Sequence, residues 1–340
     1  MSLPQNVIAL IFDFDDTLTD DSTTQLLEAA GIDPRDFWGR RVDALVKDGW
    51  DNALAYLNVL LEETAPGRPL ANLTNEKLLE LGSSLTFYQG LPGLFDDLQA
   101  IVSEHTISCP AIEAYIVSGG LEAVVKGSSI ARHFTGIWGC CFDEANGRVH
   151  RIRNAISFTE KTKYIYAINK GINKDVRRDA YAVNRAVPAD HRRIPMSNMI
   201  YVGDGLTDIP CFSMIQGAGG AAFGVFDPQK RESPKKAWEQ LVVARRVSTM
   251  NSARYGEKDD LGALLRAAVH QICLRMELRR QRCQSLKMWR CRAPRRKERN
   301  SLCSGGTGLS SASPWWRSSS RRRAAFSSSS LPSRRSPSVR

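Results

Sequence analysis

The chain has 340 residues, of which 42% are hydrophobic and 24% charged, and a formal net charge of +11. This is the composition of a globular protein long enough to bury a core without disulfide or metal staples. Residues 275–340 hold 18 Lys and Arg against 2 Asp and Glu, a net of +16, which leaves the first 274 residues at −5. The distribution excludes a basic binding face spread over the main domain.

Five short runs of apolar and β-branched residues predict strands that are buried on both faces. They are residues 7–14, 112–117, 137–142, 199–202 and 221–226. Helical patterns lie between most of them, for example at residues 93–102 and 162–168. Alternating strands and helices predict an α/β fold, in which a parallel sheet has helices on both faces. Functional sites in such sheets form at the carboxyl ends of the strands.

Two segments interrupt this alternation. Residues 20–88 carry apolar residues at three- and four-residue spacing and predict a small helical subdomain, inserted into a core of residues 1–19 and 89–280. We expect Phe37, Trp38 and Trp50 of this segment to be core residues, with a platform for the substrate as the alternative. The second interruption has Asn146-Gly147 between two extended runs, which predicts a β-hairpin.

The last part of the chain changes in composition. Residues 261–280 predict one amphipathic helix that closes the folded domain. Residues 301–340 then contain 15 serines among clustered arginines and almost no apolar periodicity. Such a segment cannot bury enough surface to offset its ordering entropy. We therefore predict a disordered Arg/Ser-rich tail over residues 281–340.

Cysteines, histidines and the chain start indicate the compartment. The eight cysteines show no CxxC pair, and the five histidines lack ligand spacing, so we expect structural or surface roles for both. The start, MSLPQNVIALIFDFD, lacks a signal-peptide pattern. No stretch approaches the ~18 apolar residues of a membrane span. These features predict a cytoplasmic protein with reduced thiols and no membrane partner.

Carboxylates follow two of the predicted strands. The first strand ends in DFDDT, where alternation of the extended chain puts Asp13 and Asp15 on the same side. The fourth is followed by GDGLTD, which supplies Asp204 and Asp208 beside glycines that permit a tight turn. Clustered carboxylates repel each other unless a cation lies between them, and Mg²⁺ prefers such oxygen ligands. One metal site assembled by the fold is predicted, with independent solvated loops as the alternative.

Two further motifs suggest an anion near the same sheet edge. Ser118, Gly119 and Gly120 follow the second strand and place a hydroxyl beside backbone amides, although this is also an ordinary loop opening. Lys161 and Lys163 begin a predicted helix, where a lysine opposes the helix dipole unless an anion binds there. An ordinary surface lysine is the alternative for either position.

These four motifs, in this order along residues 7–272, resemble the haloacid dehalogenase (HAD) superfamily of hydrolases, in its phosphoserine-phosphatase-like branch. The resemblance implies a Rossmann-like sheet of strand order 5-4-1-2-3, with a helical cap inserted after the first motif at residues 20–88. It also implies that Asp13 is the nucleophile, which forms an aspartyl-phosphate. Asp15 is implied as the general acid/base for the leaving group and then for water.

The remaining implied roles concern phosphate and metal. Ser118 and Gly119 would bind the phosphoryl oxygens, and Lys161 would neutralise the nucleophile and the phosphoryl group. We choose Lys161 over Lys163 because it lies at the very start of the helix. Mg²⁺ would be bound by Asp13, the Asp15 carbonyl and Asp204. Asp208 would be a further ligand or would support the ligands.

The resemblance predicts a Mg²⁺-dependent phosphatase that acts on a small phosphorylated metabolite. Asp15 is the residue that phosphatase branches keep and dehalogenases lack. True phosphoserine phosphatases carry a glutamate where this chain has Ser22, next to Asp21, so the resemblance does not identify the substrate. The alternatives are a HAD-fold phosphotransferase and a nucleic-acid-associated protein. The latter would bind only non-specifically, through counterion release by the tail.

Overall fold

The computed structural model describes residues 5–174, 176–179, 181–228 and 246–292, with side chains up to residue 286. The disordered tail was predicted over residues 281–340, but residues 281–292 are helical, so the prediction is wrong for these residues. Residues 293–340, and the nucleic-acid binding that would depend on the tail, lie outside the described residues.

A seven-stranded sheet forms the centre of the described part, with the order β4-β3-β2-β1-β5-β6-β7. The strands are β1 (Val7–Phe12), β2 (Ala111–Leu121), β3 (Phe134–Ala145), β4 (Arg148–Asn154), β5 (Met199–Gly203), β6 (Ala221–Phe226) and β7 (Thr249–Ser252). Neighbouring strands are parallel except for β3 and β4, which are antiparallel. The predicted α/β class is therefore confirmed.

The strand order also agrees with the expectation. The five predicted strands correspond to β1, β2, β3, β5 and β6, and in their own chain order they lie as 5-4-1-2-3. The predicted hairpin joins β3 to β4, with positive φ angles of 54° at Asn146 and 71° at Gly147 that suit a tight turn. The short, polar strand β7 was not predicted, because TMNS carries no apolar run.

Helices connect and cover the strands. They are α1 (Ser22–Ala29), α2 (Pro34–Asp36), α3 (Asp43–Lys47), α4 (Asn52–Glu62), α5 (Asn75–Ser84), α6 (Gly93–Glu104), α7 (Glu122–Gly127), α8 (Glu160–Lys170), α9 (Ile209–Gly217) and α10 (Asp260–Arg292), with a π-helical stretch, Phe37–Val42, between α2 and α3.

Aromatic contacts show that both faces of the sheet are covered. Phe12 of β1 meets Phe95 of α6, with ring centroids 6.1 Å apart. Tyr115 of β2 lies on the opposite face, because it pairs with the residue before Phe12 and successive side chains alternate. There it stacks on Trp138, which contacts Tyr164 of α8 at 5.2 Å. Burial on both faces explains why the strands are continuous apolar runs.

Residues 20–88 are mostly helical, and the apolar spacing that runs from residue 37 to residue 63 is divided between separate helices. The chain turns at Gly49, whose φ is +94°, and α4 then begins after Asp51. The Asp51 side chain accepts hydrogen bonds from the backbone N–H groups of Ala53 and Leu54, a typical N-cap. A residue that caps a new helix therefore divides an apolar pattern that would otherwise continue.

Helix α10 runs to Arg292, past the predicted end at residue 280, and packs against α6. Two histidines that are far apart in sequence meet there: His105 Nε2 lies 3.2 Å from His270 Nδ1, and His105 Nδ1 lies 2.8 Å from Glu277 Oε1. Spacing alone could not reveal this cluster. None of the helices in the described part is both long enough and apolar enough to cross a membrane.

Candidate functional site

A cavity of about 260 Å³ opens at the carboxyl ends of β1, β2 and β5, beside the start of α8. The structure brings the predicted site residues together there: Asp13, Asp15, Ser118, Gly119, Lys161 and Asp204 line the cavity. Asp208 is fully buried behind them and contacts Lys161. Parallel strands end at one edge of the sheet, so loops that are remote in sequence contribute to one site.

Lys161 is the centre of this arrangement. Its ammonium group is completely buried and donates to Asp13 Oδ2 at 2.6 Å and to Asp208 Oδ1 at 2.7 Å. Burial alone would lower the pKa of Lys161, but the two carboxylates outweigh burial and raise it, so the side chain stays charged. Lys163 instead pairs with Glu160 at 2.6 Å and is partly exposed. Of the two lysines that the sequence left as alternatives, Lys161 contacts the carboxylates and Lys163 does not.

Three carboxylates cluster around this one ammonium group, which contacts two of them. Oxygen atoms of Asp13, Asp204 and Asp208 all lie within 4.8 Å of one another. Burial raises the pKa of Asp204 well above its ordinary value, and the charges of Asp13 and Asp208 raise it further. Among the described residues, no group donates a hydrogen bond to the Asp204 carboxylate. Crowded oxygen donors with too little compensating charge fit a hard divalent cation such as Mg²⁺.

Asp208 is held by more partners than the motif alone suggests. Its Oδ1 also accepts from the Tyr201 hydroxyl at 2.7 Å, and its Oδ2 accepts from the Gly205 N–H at 3.2 Å. Burial raises the pKa of Asp208 to about 6, although Lys161 opposes this. Gly203 is required for this approach, since a Cβ there would lie 2.4 Å from Asp208 Oδ2. Tyr201 was missed because it reads as one more apolar residue of a buried strand.

Asp15 also lines the cavity. Its Oδ1 accepts from the Ser22 N–H at 2.8 Å. Burial, with the charge of Asp21, raises the pKa of Asp15 to about 8. The carboxyl group is therefore mostly protonated at neutral pH and can donate a proton. Its Oδ2 lies so close to Gly120 that a Cβ at that glycine would be only 2.0 Å away.

Ser118 presents the predicted hydroxyl to the cavity from the end of β2. The side chain is buried, and its Oγ accepts from the Gly120 N–H at 2.9 Å. That contact uses an oxygen lone pair and leaves the hydroxyl proton available for an anion. The backbone of Gly119 also lines the cavity, as predicted.

The helical segment supplies residues that the sequence did not assign to the site. Trp38 and Tyr56 line the cavity with ring centroids 5.7 Å apart, and Asp21 lies there too. The expectation that Trp38 is a core residue is therefore corrected: it is half-buried at the cavity wall. Phe37 is fully buried, as expected, whereas Trp50 is exposed. Helical periodicity cannot distinguish a residue facing the core from one facing a cavity next to it.

Comparison with known proteins gives a relative in Borreliella burgdorferi. No protein-family model matches the chain. The chain is 32% identical over 238 residues to a protein of Borreliella burgdorferi that is described as uncharacterized. That match covers 63% of this chain and 80% of the relative.

Similar solved structures include a HAD-family hydrolase from Salmonella enterica serovar Typhi, with 15% identity and a TM-score of 0.49 over 78% of this chain and 72% of that one. A phosphoserine phosphatase with a phospho-aspartyl intermediate analogue has 14% identity and a TM-score of 0.46, over 77% and 99% of the two chains. Structural similarity at TM-scores below 0.5 does not identify the activity of this chain.

Proposed function

We propose that this chain, which belongs to the same protein family as the uncharacterized Borreliella burgdorferi protein, is a Mg²⁺-dependent phosphoric monoester hydrolase of the HAD kind. One observation carries the proposal: the buried Lys161 ammonium joins Asp13 and Asp208 beside a cavity that Asp15, Ser118 and Asp204 also line. This supports the proposal, because two carboxyl groups, an ammonium group and a hydroxyl that can bind an anion lie at one small site.

The proposed reaction has two displacements. First, an Asp13 carboxylate oxygen attacks phosphorus, and the bond from phosphorus to the leaving oxygen breaks, which forms an aspartyl-phosphate. The leaving oxygen takes the proton of Asp15, whose raised pKa of about 8 supports this role. Then a water attacks phosphorus and gives a proton to Asp15. The bond to Asp13 breaks, and inorganic phosphate is released.

The other residues of the site are proposed to compensate the negative charge of the phosphoryl group and to bind its oxygens. Lys161 offsets the charge that builds up on the phosphoryl oxygens, and the Ser118 hydroxyl and the Gly119 backbone would hold those oxygens in place. Asp13, the Asp15 carbonyl and Asp204 would hold Mg²⁺, supported by Asp208. When bound, the ion supplies positive charge that lets a phosphate dianion approach carboxylates.

Residues 20–88 are proposed as the cap that selects the substrate, because Trp38 and Tyr56 from that segment line the cavity. Its volume of about 260 Å³ lies below the ~300–1,000 Å³ typical of pockets for drug-sized ligands, which supports a small phosphorylated substrate. A reducing, cytoplasmic location is part of the proposal, and the buried free thiols of Cys140, Cys211 and Cys273 support it.

The test is phosphate release by the purified chain from a panel of phosphorylated metabolites. We expect release with Mg²⁺ and loss of at least 90% of it after EDTA treatment. Restoration by excess Mg²⁺ is expected because the carboxylate cluster needs a cation before a phosphate can approach. Equal turnover in EDTA would contradict Mg²⁺ dependence, and no release from any ester with Mg²⁺ would contradict a phosphatase.

The glycine that contacts Asp15 provides a test of the Asp15 role, with a glycine outside the cavity lining as its control. Gly120→Ala places a Cβ 2.0 Å from Asp15 Oδ2, so the carboxyl group must move, whereas a Cβ at Gly217 would have nothing within 4 Å. We expect Gly120→Ala to lower kcat by about 10²-fold or more, since misplacing a catalytic group by ~1 Å costs this much. Gly217→Ala should stay within a few-fold of wild type. Similar rates for the two variants would refute the placement of Asp15.

A further inference from the structure

Three aromatic side chains line the cavity: Trp38, Tyr56 and Phe158. The Tyr56 hydroxyl donates to Gly119 O at 2.7 Å, and Trp38 Nε1 donates to Thr24 Oγ1 at 2.9 Å. Both polar atoms are therefore already bonded within the protein, and the rings are held in place. What they offer a ligand is a fixed apolar surface, which suits a flat ring.

Carboxylates dominate the charged lining of this cavity. Among the residues that the structure describes, Lys161 is the only cation lining the cavity, and it is bonded to Asp13 and Asp208. Asp21 also lines the cavity, and its Oδ1 accepts from the backbone N–H groups of Thr23 and Thr24. A carboxylate or a second phosphate on the substrate would meet Asp21 with no cation of the described part to receive it.

We propose that the substrate is a small phosphate monoester whose leaving alcohol is uncharged and carries a flat ring, with Trp38 and Tyr56 contacting the ring and Asp21 rejecting anionic alcohols. This rests on the proposed function, because it requires that the phosphoryl group binds beside Asp13. It makes Trp38 and Asp21 specificity-determining residues, outside the reacting atoms.

The test compares three esters in saturating Mg²⁺: benzyl phosphate, 4-carboxybenzyl phosphate and ethyl phosphate. We expect kcat/KM for benzyl phosphate to exceed that of both others by about tenfold or more. The carboxylate tests the charge rule at nearly constant shape, and ethyl phosphate removes the ring. Equal or better turnover of the 4-carboxybenzyl or the ethyl ester would overturn the proposal.

Two variants show whether the named residues cause the preference. Asp21→Asn keeps an N-cap acceptor, since Asn and Asp cap helices equally well, and removes the charge. It should raise the 4-carboxybenzyl to benzyl ratio of kcat/KM about five- to tenfold. Trp38→Leu should lower the benzyl to ethyl ratio by a similar factor. Ratios cancel any general loss of folded enzyme or of proton transfer, and unchanged ratios would refute the assignment.

Failure of the inference differs from failure of the proposed function. If all three esters release phosphate without preference, the phosphatase proposal stands and the substrate class is wrong. If neither these esters nor the metabolite panel releases phosphate, the phosphatase proposal fails and the substrate inference fails with it.

Discussion

Asp13→Asn is expected to lower Mg²⁺-dependent phosphate release by about 10⁴-fold or more, the scale seen when a covalent nucleophile is removed. The amide is nearly the same shape but is a poor nucleophile. It can still accept a hydrogen bond from Lys161, which lies 2.6 Å from Asp13 Oδ2. The variant should therefore remain folded. Initial rates with saturating Mg²⁺, together with the thermal unfolding midpoint, are the measurements.

Asp33→Asn is the matched control for this variant. Asp33 is the N-cap of α2, and its side chain accepts a hydrogen bond from the Arg35 N–H at 2.9 Å. It lies outside the cavity lining. The Asp33→Asn variant should release phosphate at the wild-type rate. A rate for Asp13→Asn within tenfold of this control, with the fold intact, would exclude Asp13 as the nucleophile.

Lys161→Met should lower both the rate of phosphate release and the free energy of unfolding. The variant leaves Asp13, Asp204 and Asp208 without the ammonium group that two of them contact. Removing one partner of a buried ion pair typically costs ~3–5 kcal/mol, so we expect a loss of that size in the free energy of unfolding without Mg²⁺. Phosphate release should fall by at least ~10²–10³-fold, the cost of losing one group that stabilises the transition-state charge.

The pH dependence of Lys161→Met has a definite sign. The folded-state pKa values of Asp204 and Asp208 already lie above their unfolded values, and loss of the cation should raise them further. Each such group destabilises the fold increasingly as pH rises from its unfolded pKa to its raised folded pKa. The stability lost relative to wild type should therefore be small in acid and grow with pH. Urea unfolding at several pH values, without Mg²⁺, measures it.

Lys163→Met is the control for this experiment, because it makes the same substitution two residues away on α8. Its pair with Glu160 is partly exposed, and such pairs contribute ~0.2–1 kcal/mol. We expect near wild-type activity and at most a small loss of stability. If Lys163→Met were the inactive variant and Lys161→Met the active one, the assignment of the catalytic lysine would be reversed.

Much of the fold could be predicted because burial leaves a local pattern. A strand covered on both faces must be apolar along its length, and this identified the five strands that now lie as β1, β2, β3, β5 and β6. The Asn146-Gly147 turn was predictable because its positive φ angles favour those residue types. Strand β7 and the break at Gly49 were missed, because TMNS carries no apolar run and the apolar spacing continues across the new helix cap at Asp51.

The sequence by itself determined the α/β class and the residue types of the candidate site. Carboxylates and a serine at strand ends, and lysines at a helix start, are local features, and parallel strands bring such ends to one edge. Only the tertiary structure decided which lysine enters the carboxylate cluster, that Tyr201 supports Asp208, and that Trp38 faces the cavity. These depend on distances between segments far apart in the chain. Composition, periodicity and spacing do not contain such distances, because packing sets them.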